Sequence, residues 1–108
     1  MRMDVGREIR RAVDTGKVQF GAKQAEKSVL KGAAGLIVIS NNVPLRDKER
    51  IRQLCSVAQI PILEFDGTGM VLGSVCGKPF IVAVLCIEKA GKSKILEAAK
   101  EKHKGKAA

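Results

Sequence analysis

Leu36-Ile37-Val38-Ile39 is apolar at every position. A strand with one face in water alternates apolar and polar side chains, so an unbroken run marks a strand buried on both faces. Such a strand needs one layer packed above it and another below. Phe80 to Ile87 is the longest apolar run in the chain and predicts a central strand. Val18-Gln19-Phe20 and Ile62 to Phe65 supply two more strands.

Helical patterns fill the intervals. Val5, Ile9, Ala12 and Val13 recur at helical spacing, with Arg7, Arg10 and Arg11 on the other faces and Thr15-Gly16 at the end. Ala22 to Lys31 reads as a second helix with Ala25, Val29 and Leu30 inward, closed by Gly32. Asn41-Asn42-Val43-Pro44 breaks the pattern, and proline suits a first helical turn. Ile51, Leu54, Cys55 and Ala58 then form the inward face of a third helix, ended by Ile60-Pro61. Gly67-Thr68-Gly69 opens a short fourth helix reaching about Cys76. Ser93 is a good N-cap for a last helix with Ile95, Leu96, Ala98 and Ala99 inward. Basic residues dominate from Lys100, so a fraying basic tail is expected over 100–108.

The alternating order of helices and strands predicts the α/β class: a three-layer α/β/α sandwich around a four-stranded mixed sheet. Long crossovers make the first three strands parallel. The connection from Phe65 to Phe80 is short, so the last strand is expected to be antiparallel. The loops after strands one to three then share one sheet edge with the start of strand four. Gly21 to Lys23, Asn42 and Gly67-Thr68 would meet Phe80 there, in the crevice where open α/β sheets bind ligands.

A chain of 108 residues is expected to be one domain. Twenty Lys and Arg against eleven Asp and Glu give a net charge of +9, which points to nucleic acid as the partner. No stretch pairs its cations with Trp or a broad Leu/Phe face, so no membrane contact is expected. Cys55, Cys76 and Cys86 have neither metal-ligand spacing nor an even count for a disulfide framework. Each lies in an apolar run, which predicts buried, reduced thiols and a cytoplasmic address. No signal peptide or membrane-spanning run is read in the sequence. The single histidine, His103, lies in the Lys-rich tail, so histidine acid–base chemistry has no place in the core.

The stretch FGAKQAEKSVLK, from Phe20 to Lys31, carries most of the functional signal. Acidic residues normally occupy a first helical turn, where the macrodipole is positive. Here Lys23, Gln24 and Lys27 stand there with one acid, Glu26, and those lysines cost helix stability unless an anion faces them. Free N–H groups plus two cations make a phosphate-sized site. Lys23, Lys27 and Lys31 also line one stripe at i, i+4 and i+8, although a solvated lysine face would look the same.

Other motifs carry less. Gly91-Lys92-Ser93 resembles the end of a phosphate-binding loop, but Cys86 stands where its first glycine belongs, so a plain helix cap is the better account. Cys76 precedes Gly77-Lys78 with no base to serve it, and reads as a core cysteine. Asn41 and Asn42 can cap the third helix or present an amide to a base edge. Gly67, Gly69, Gly73 and Gly77 allow tight helix packing or close ligand approach.

Taken together and in order, EIRRAVDTGKVQFGAKQ, the Asn42-Val43-Pro44 turn, Thr68 to Gly73, GKPFIVAV and GKSKIL resemble the large-subunit ribosomal protein thirty family of archaea and eukaryotes, within the kink-turn RNA-binding superfamily. The resemblance implies a constituent of the large ribosomal subunit, monomeric when free, that binds a kink-turn in ribosomal RNA with no catalysis and no cofactor. It implies contacts at Gly21, Lys23, Gln24, Lys27, Asn42, Gly67, Thr68, Leu72, Gly73 and Phe80. Asn42 matches an asparagine that contacts a guanine, and Phe80 an aromatic that packs on a base or the RNA backbone. Lys23-Gln24 stands where the wider superfamily often has Asn-Glu, which moves the balance towards phosphate contact. A general kink-turn protein of guide-RNA particles is the alternative. A ribosomal protein without sequence-selective contact and a small enzyme using the Gly67-rich crevice are the remaining readings.

Overall fold

The computed structural model describes residues 5–96. Four helices and four strands alternate: α1 (Val5–Thr15), β1 (Lys17–Phe20), α2 (Ala22–Leu30), β2 (Leu36–Ile39), α3 (Leu45–Ala58), β3 (Ile62–Glu64), α4 (Gly69–Val75) and β4 (Val84–Lys89). The sheet order is β1-β4-β2-β3. β2 and β3 are parallel, and β4 is antiparallel to both β1 and β2, as its short approach predicts.

The fully apolar strands work as two-sided partitions. Leu36, Val38, Leu85 and Ile87 face one core with Ile9 and Ala12 of α1 and Leu72 of α4. Ile37, Ile39, Val84 and Cys86 face the other, with Ala25 and Val29 of α2 and Ile51 and Cys55 of α3. Adjacent residues of one strand point to opposite faces, so the unbroken runs require helices on both sides. This is the expected three-layer arrangement.

Three expectations need correction. β4 begins at Val84, not at Phe80. Phe80 to Val82 lies instead against α4, where the Val82 N–H donates to the Gly69 carbonyl at 3.0 Å. That approach needs a glycine: a Cβ on Gly73 would stand 2.1 Å from the Phe80 carbonyl oxygen. Leu30 is 72% exposed, because it stands roughly 100° round the helix from the buried Val29, on the side of the exposed Lys27. Ala58 is likewise exposed, at the last turn of α3.

The last helix begins at Ile95, and Ala98, Ala99 and the basic tail lie outside the described residues. Its start is tied to α1. Ser93 Oγ accepts from the Ile95 N–H at 3.1 Å and donates to the Glu8 carbonyl at 2.7 Å. The buried Glu8 carboxylate accepts the Lys94 N–H at 2.8 Å. That N–H holds the Glu8 carboxyl below its ordinary 4.5 against the opposing effect of burial, helped by Ser93 and the nearby arginines. A carboxyl that ionises more readily in the folded state contributes stability above its unfolded pKa and loses it as pH falls through the folded one. Stability should therefore decline on acidification below about pH 4.5. Glu8→Ala should flatten that decline and cost about 0.5–2 kcal/mol at neutral pH, the range for a lost cap. Urea denaturation at stepped pH measures both, and an unchanged acid slope would count against the carboxylate as the lock.

Candidate nucleic-acid interface

β1, β2 and β3 end at one edge of the sheet, and β4 starts there: Phe20 is opposite Leu85, and Ile39 lies opposite both Val84 and Glu64. Backbone hydrogen bonds stitch the emerging loops together. Gly21 N–H donates to the Val84 carbonyl at 2.8 Å, Ser40 N–H to Ala83 at 2.9 Å, and Asn41 N–H to Gly67 at 2.8 Å. The edge expected from topology is therefore a physical surface, with Gly21, Asn42, Gly67 and Phe80 on adjoining segments.

Gly21 occupies the N-cap position of α2 at φ 101° and ψ 153°, a region open essentially to glycine alone. No side chain caps this helix and no acid stands in its first turn. Lys23, Gln24, Lys27 and Lys31 are exposed, and neither Lys23 nor Lys27 has an acidic partner among the described residues. Glu26 is taken up by Arg50 at 2.5 Å. The arginines of α1 are engaged elsewhere, Arg10 with Asp14 at 3.1 Å and Arg11 with Glu8 at 3.6 Å.

Asn42 does not cap α3, whose N-cap is Pro44 with no side-chain hydrogen bond. Its Oδ1 instead accepts the Gly69 N–H at the start of α4, at 3.0 Å, and the Ser40 hydroxyl at 2.9 Å. Thr68 is the N-cap of α4 and accepts the Val71 N–H at 3.3 Å. Phe80 is 50% exposed, and its ring meets Phe20 edge-on at 5.9 Å between centroids. Lys78 Nζ lies 5.4 Å from the centre of the Phe20 ring, placing a cation beside the aromatic pair.

Two of the candidate residues stand behind this surface. Leu72 is fully buried in the core and offers no side chain to a ligand. Gly73 is buried against the Phe80 carbonyl, so the close approach it permits is by the chain itself. Sequence reasoning missed Ser40 and Lys78 as members of the edge. A hydroxyl two residues before Asn42, at the end of a fully buried strand, was the available signal for Ser40. Lys78 acquires its place only through the docking of residues 78–82 on α4.

Nothing here is arranged for catalysis by thiol. Burial pushes Cys55, Cys76 and Cys86 up to about 11, so each is a neutral core side chain at physiological pH. A groove of about 590 Å³ beside β3 and the end of α3 lies away from this edge, with Cys55, Ser56 and Gln59 in its wall and the Arg52–Glu64 pair beside them. The edge itself carries exposed lysines and a glycine at positive φ. Among the described residues, no helix is long and apolar enough to cross a membrane and no cluster could hold a metal ion.

Residues 3–97 match the profile of the ribosomal protein L7Ae/L30e/S12e/Gadd45 family. The chain belongs to this family. It is 45% identical over 95 residues to the large ribosomal subunit protein eL30 of Methanothermobacter thermautotrophicus, covering 88% of this chain and 97% of that one. It is 41% identical over 103 residues to eL30 of Methanocaldococcus jannaschii, covering 95% and 94%. A Bacillus halodurans protein described as of unknown function has the same fold, with a TM-score of 0.78 at 24% identity over 93% of this chain and 99% of that chain.

The half-exposed ring of Phe80 gives a clean test of its part in this edge. A core phenylalanine cut to alanine costs about 3–5 kcal/mol of stability. Phe80→Ala should cost only about 0.5–1.5 kcal/mol, the scale of an edge-on aromatic pair. Stacking on a base or sugar would add a loss of roughly 1–3 kcal/mol in RNA binding. Denaturation and RNA titration of one variant separate the two, and a loss confined to stability would remove Phe80 from the interface.

Proposed function

We propose that this chain is a structural constituent of the large ribosomal subunit, bound to ribosomal RNA through the edge where β1, β2 and β3 end, and that its ligand there is a kink-turn internal loop. The supporting observation is the combination on one surface of unpaired α2 lysines, the Asn42 amide and the half-exposed Phe80, in a family member closely similar to proteins named eL30. Those names favour the ribosome over guide-RNA particles. The reading involves no catalytic step and no cofactor, and the protein is a monomer when free.

Roles follow from chemistry. Lys23 and Lys27 meet phosphates, adding to the counterion release that drives binding, while the α2 N–H groups face the same strand. Gln24 hydrogen-bonds to the nucleotide beside them. Asn42 meets a base edge, Phe80 packs on a base or its sugar, and the Gly21 and Gly67-Thr68 loops let the RNA backbone come close. A sharply bent RNA suits this surface because its two arms can follow the edge in different directions from one bend.

Two variants divide these roles. Lys27→Ala should weaken binding to all RNAs alike and reduce the slope of log affinity against log salt by up to about one unit. Unchanged affinity and slope would return the lysine stripe to a solvated face. Asn42→Asp keeps an acceptor for Gly69 and Ser40 but replaces the outward donor, so folding stability should move by no more than about 0.5 kcal/mol. Its preference for kinked RNA over a fully paired duplex should fall by roughly 1–3 kcal/mol. Retained preference would confine Asn42 to a structural role.

A further inference from the structure

Ser40 is a buried polar residue, 2% exposed, at the point where β2 delivers the chain to the edge. Its backbone is pinned by the 2.9 Å bond to Ala83, and its hydroxyl donates to Asn42 Oδ1 at 2.9 Å. The Gly69 N–H donates to the same oxygen at 3.0 Å. A backbone N–H can only donate, so the amide must turn its oxygen inward towards Gly69, and the hydroxyl of Ser40 completes that grip. The Asn42 NH2 group is then the end that faces outward, and it has no partner among the described residues.

We propose that Ser40 is a positioning residue for RNA recognition: with Gly69 it locks the Asn42 amide with its donor outward, so that the site selects a base edge made of acceptors. This rests on the RNA-binding reading above. An unrestrained asparagine can read a donor or an acceptor by a half-turn of its amide. With the oxygen held by two donors, only N–H groups remain to be offered. The family resemblance implies a kink-turn built on tandem sheared guanine–adenine pairs, and a guanine in such a pair uses its sugar edge, leaving O6 and N7 open, both acceptors. The amino groups of adenine and cytosine would instead meet the amide donor to donor. Selection by Asn42 thus depends on a side chain that does not itself reach the RNA.

The test uses the full chain and a synthetic kink-turn RNA in which the guanosine of each sheared pair is replaced in turn by 2-aminopurine riboside, which lacks O6 but keeps the sugar edge, or by 7-deazaguanosine, which lacks N7. The wild-type protein should prefer guanosine at one of the two positions. In Ser40→Ala that preference should shrink by roughly two- to ten-fold, the effect of one hydrogen bond. Ser40→Thr, which keeps the hydroxyl, should retain it. Thermal denaturation verifies folding, and if the alanine variant does not fold, Ser40→Cys gives the same readout with a weak donor. An unchanged preference in the folded variant overturns the role of Ser40 and leaves RNA binding standing. Wild-type binding to kinked RNA that ignores both the loss of O6 in 2-aminopurine and the loss of N7 in 7-deazaguanosine at both positions overturns the donor-outward site. No wild-type preference for kinked RNA over its fully paired duplex overturns the functional reading and this inference with it.

Discussion

The structure depends on the antiparallel insertion of β4 between β1 and β2, two strands that do not pair with each other. Val84, Leu85, Cys86 and Ile87 are all buried, two on each face of the sheet, so β4 contributes to both cores at once. Burying a large apolar side chain is worth roughly 1.5–3 kcal/mol, which makes this strand expensive to displace. Its direction matters as much as its burial. A parallel β4 would start at the far edge, and Phe80 and Lys78 would be separated from Gly21 and Asn42 by the length of the sheet.

Against that apolar frame, the candidate edge is locally unfavourable. α2 begins without a capping side chain, on a glycine at positive φ, with lysines where the macrodipole favours acids. Burial of Ala25 and Val29 and the Glu26–Arg50 pair hold the helix in place. Departures of this kind from local preference collect where a protein binds something, because the ligand supplies the missing charge. Other acids are satisfied internally. Glu8 locks residues 93–94 to α1, and Glu88 accepts the Ser28 hydroxyl at 2.5 Å beside Lys17. Lys23 and Lys27 have no acidic partner among the described residues, so positive charge is left unanswered over the first turns of α2.

Asn42 illustrates how little of such a site is visible one residue at a time. In sequence it has two roles, a cap for the following helix or a contact to a base. In the structure its oxygen ties β2 to α4, across 27 residues of chain, and its nitrogen is left for the exterior. The glycines of α4 were similarly double-valued, and packing decides between their readings. Ile81 lies over Gly69 and the Phe80 carbonyl over Gly73, so their missing side chains serve the fold.

Much of the architecture was legible because it rests on periodicity. Unbroken apolar runs demand two-sided burial, helical spacing demands amphipathic layers, and a short connection forces β4 to run back against its neighbours. The same local rules misplaced the start of β4, since Phe80 to Val82 is as apolar as a strand and hydrogen-bonds to α4 instead. They also turned Leu30 inward, although it stands one residue round the helix from the buried Val29, on the lysine side. The sequence by itself determined the layers, the direction of each strand and the cationic stripe, because each follows from the spacing of side chains along one element. Only the tertiary structure decided that β4 lies between β1 and β2, that Lys78 joins Phe20, and that Ser40 and Gly69 hold the Asn42 amide, because those contacts join residues whose separation in sequence says nothing of their distance in space.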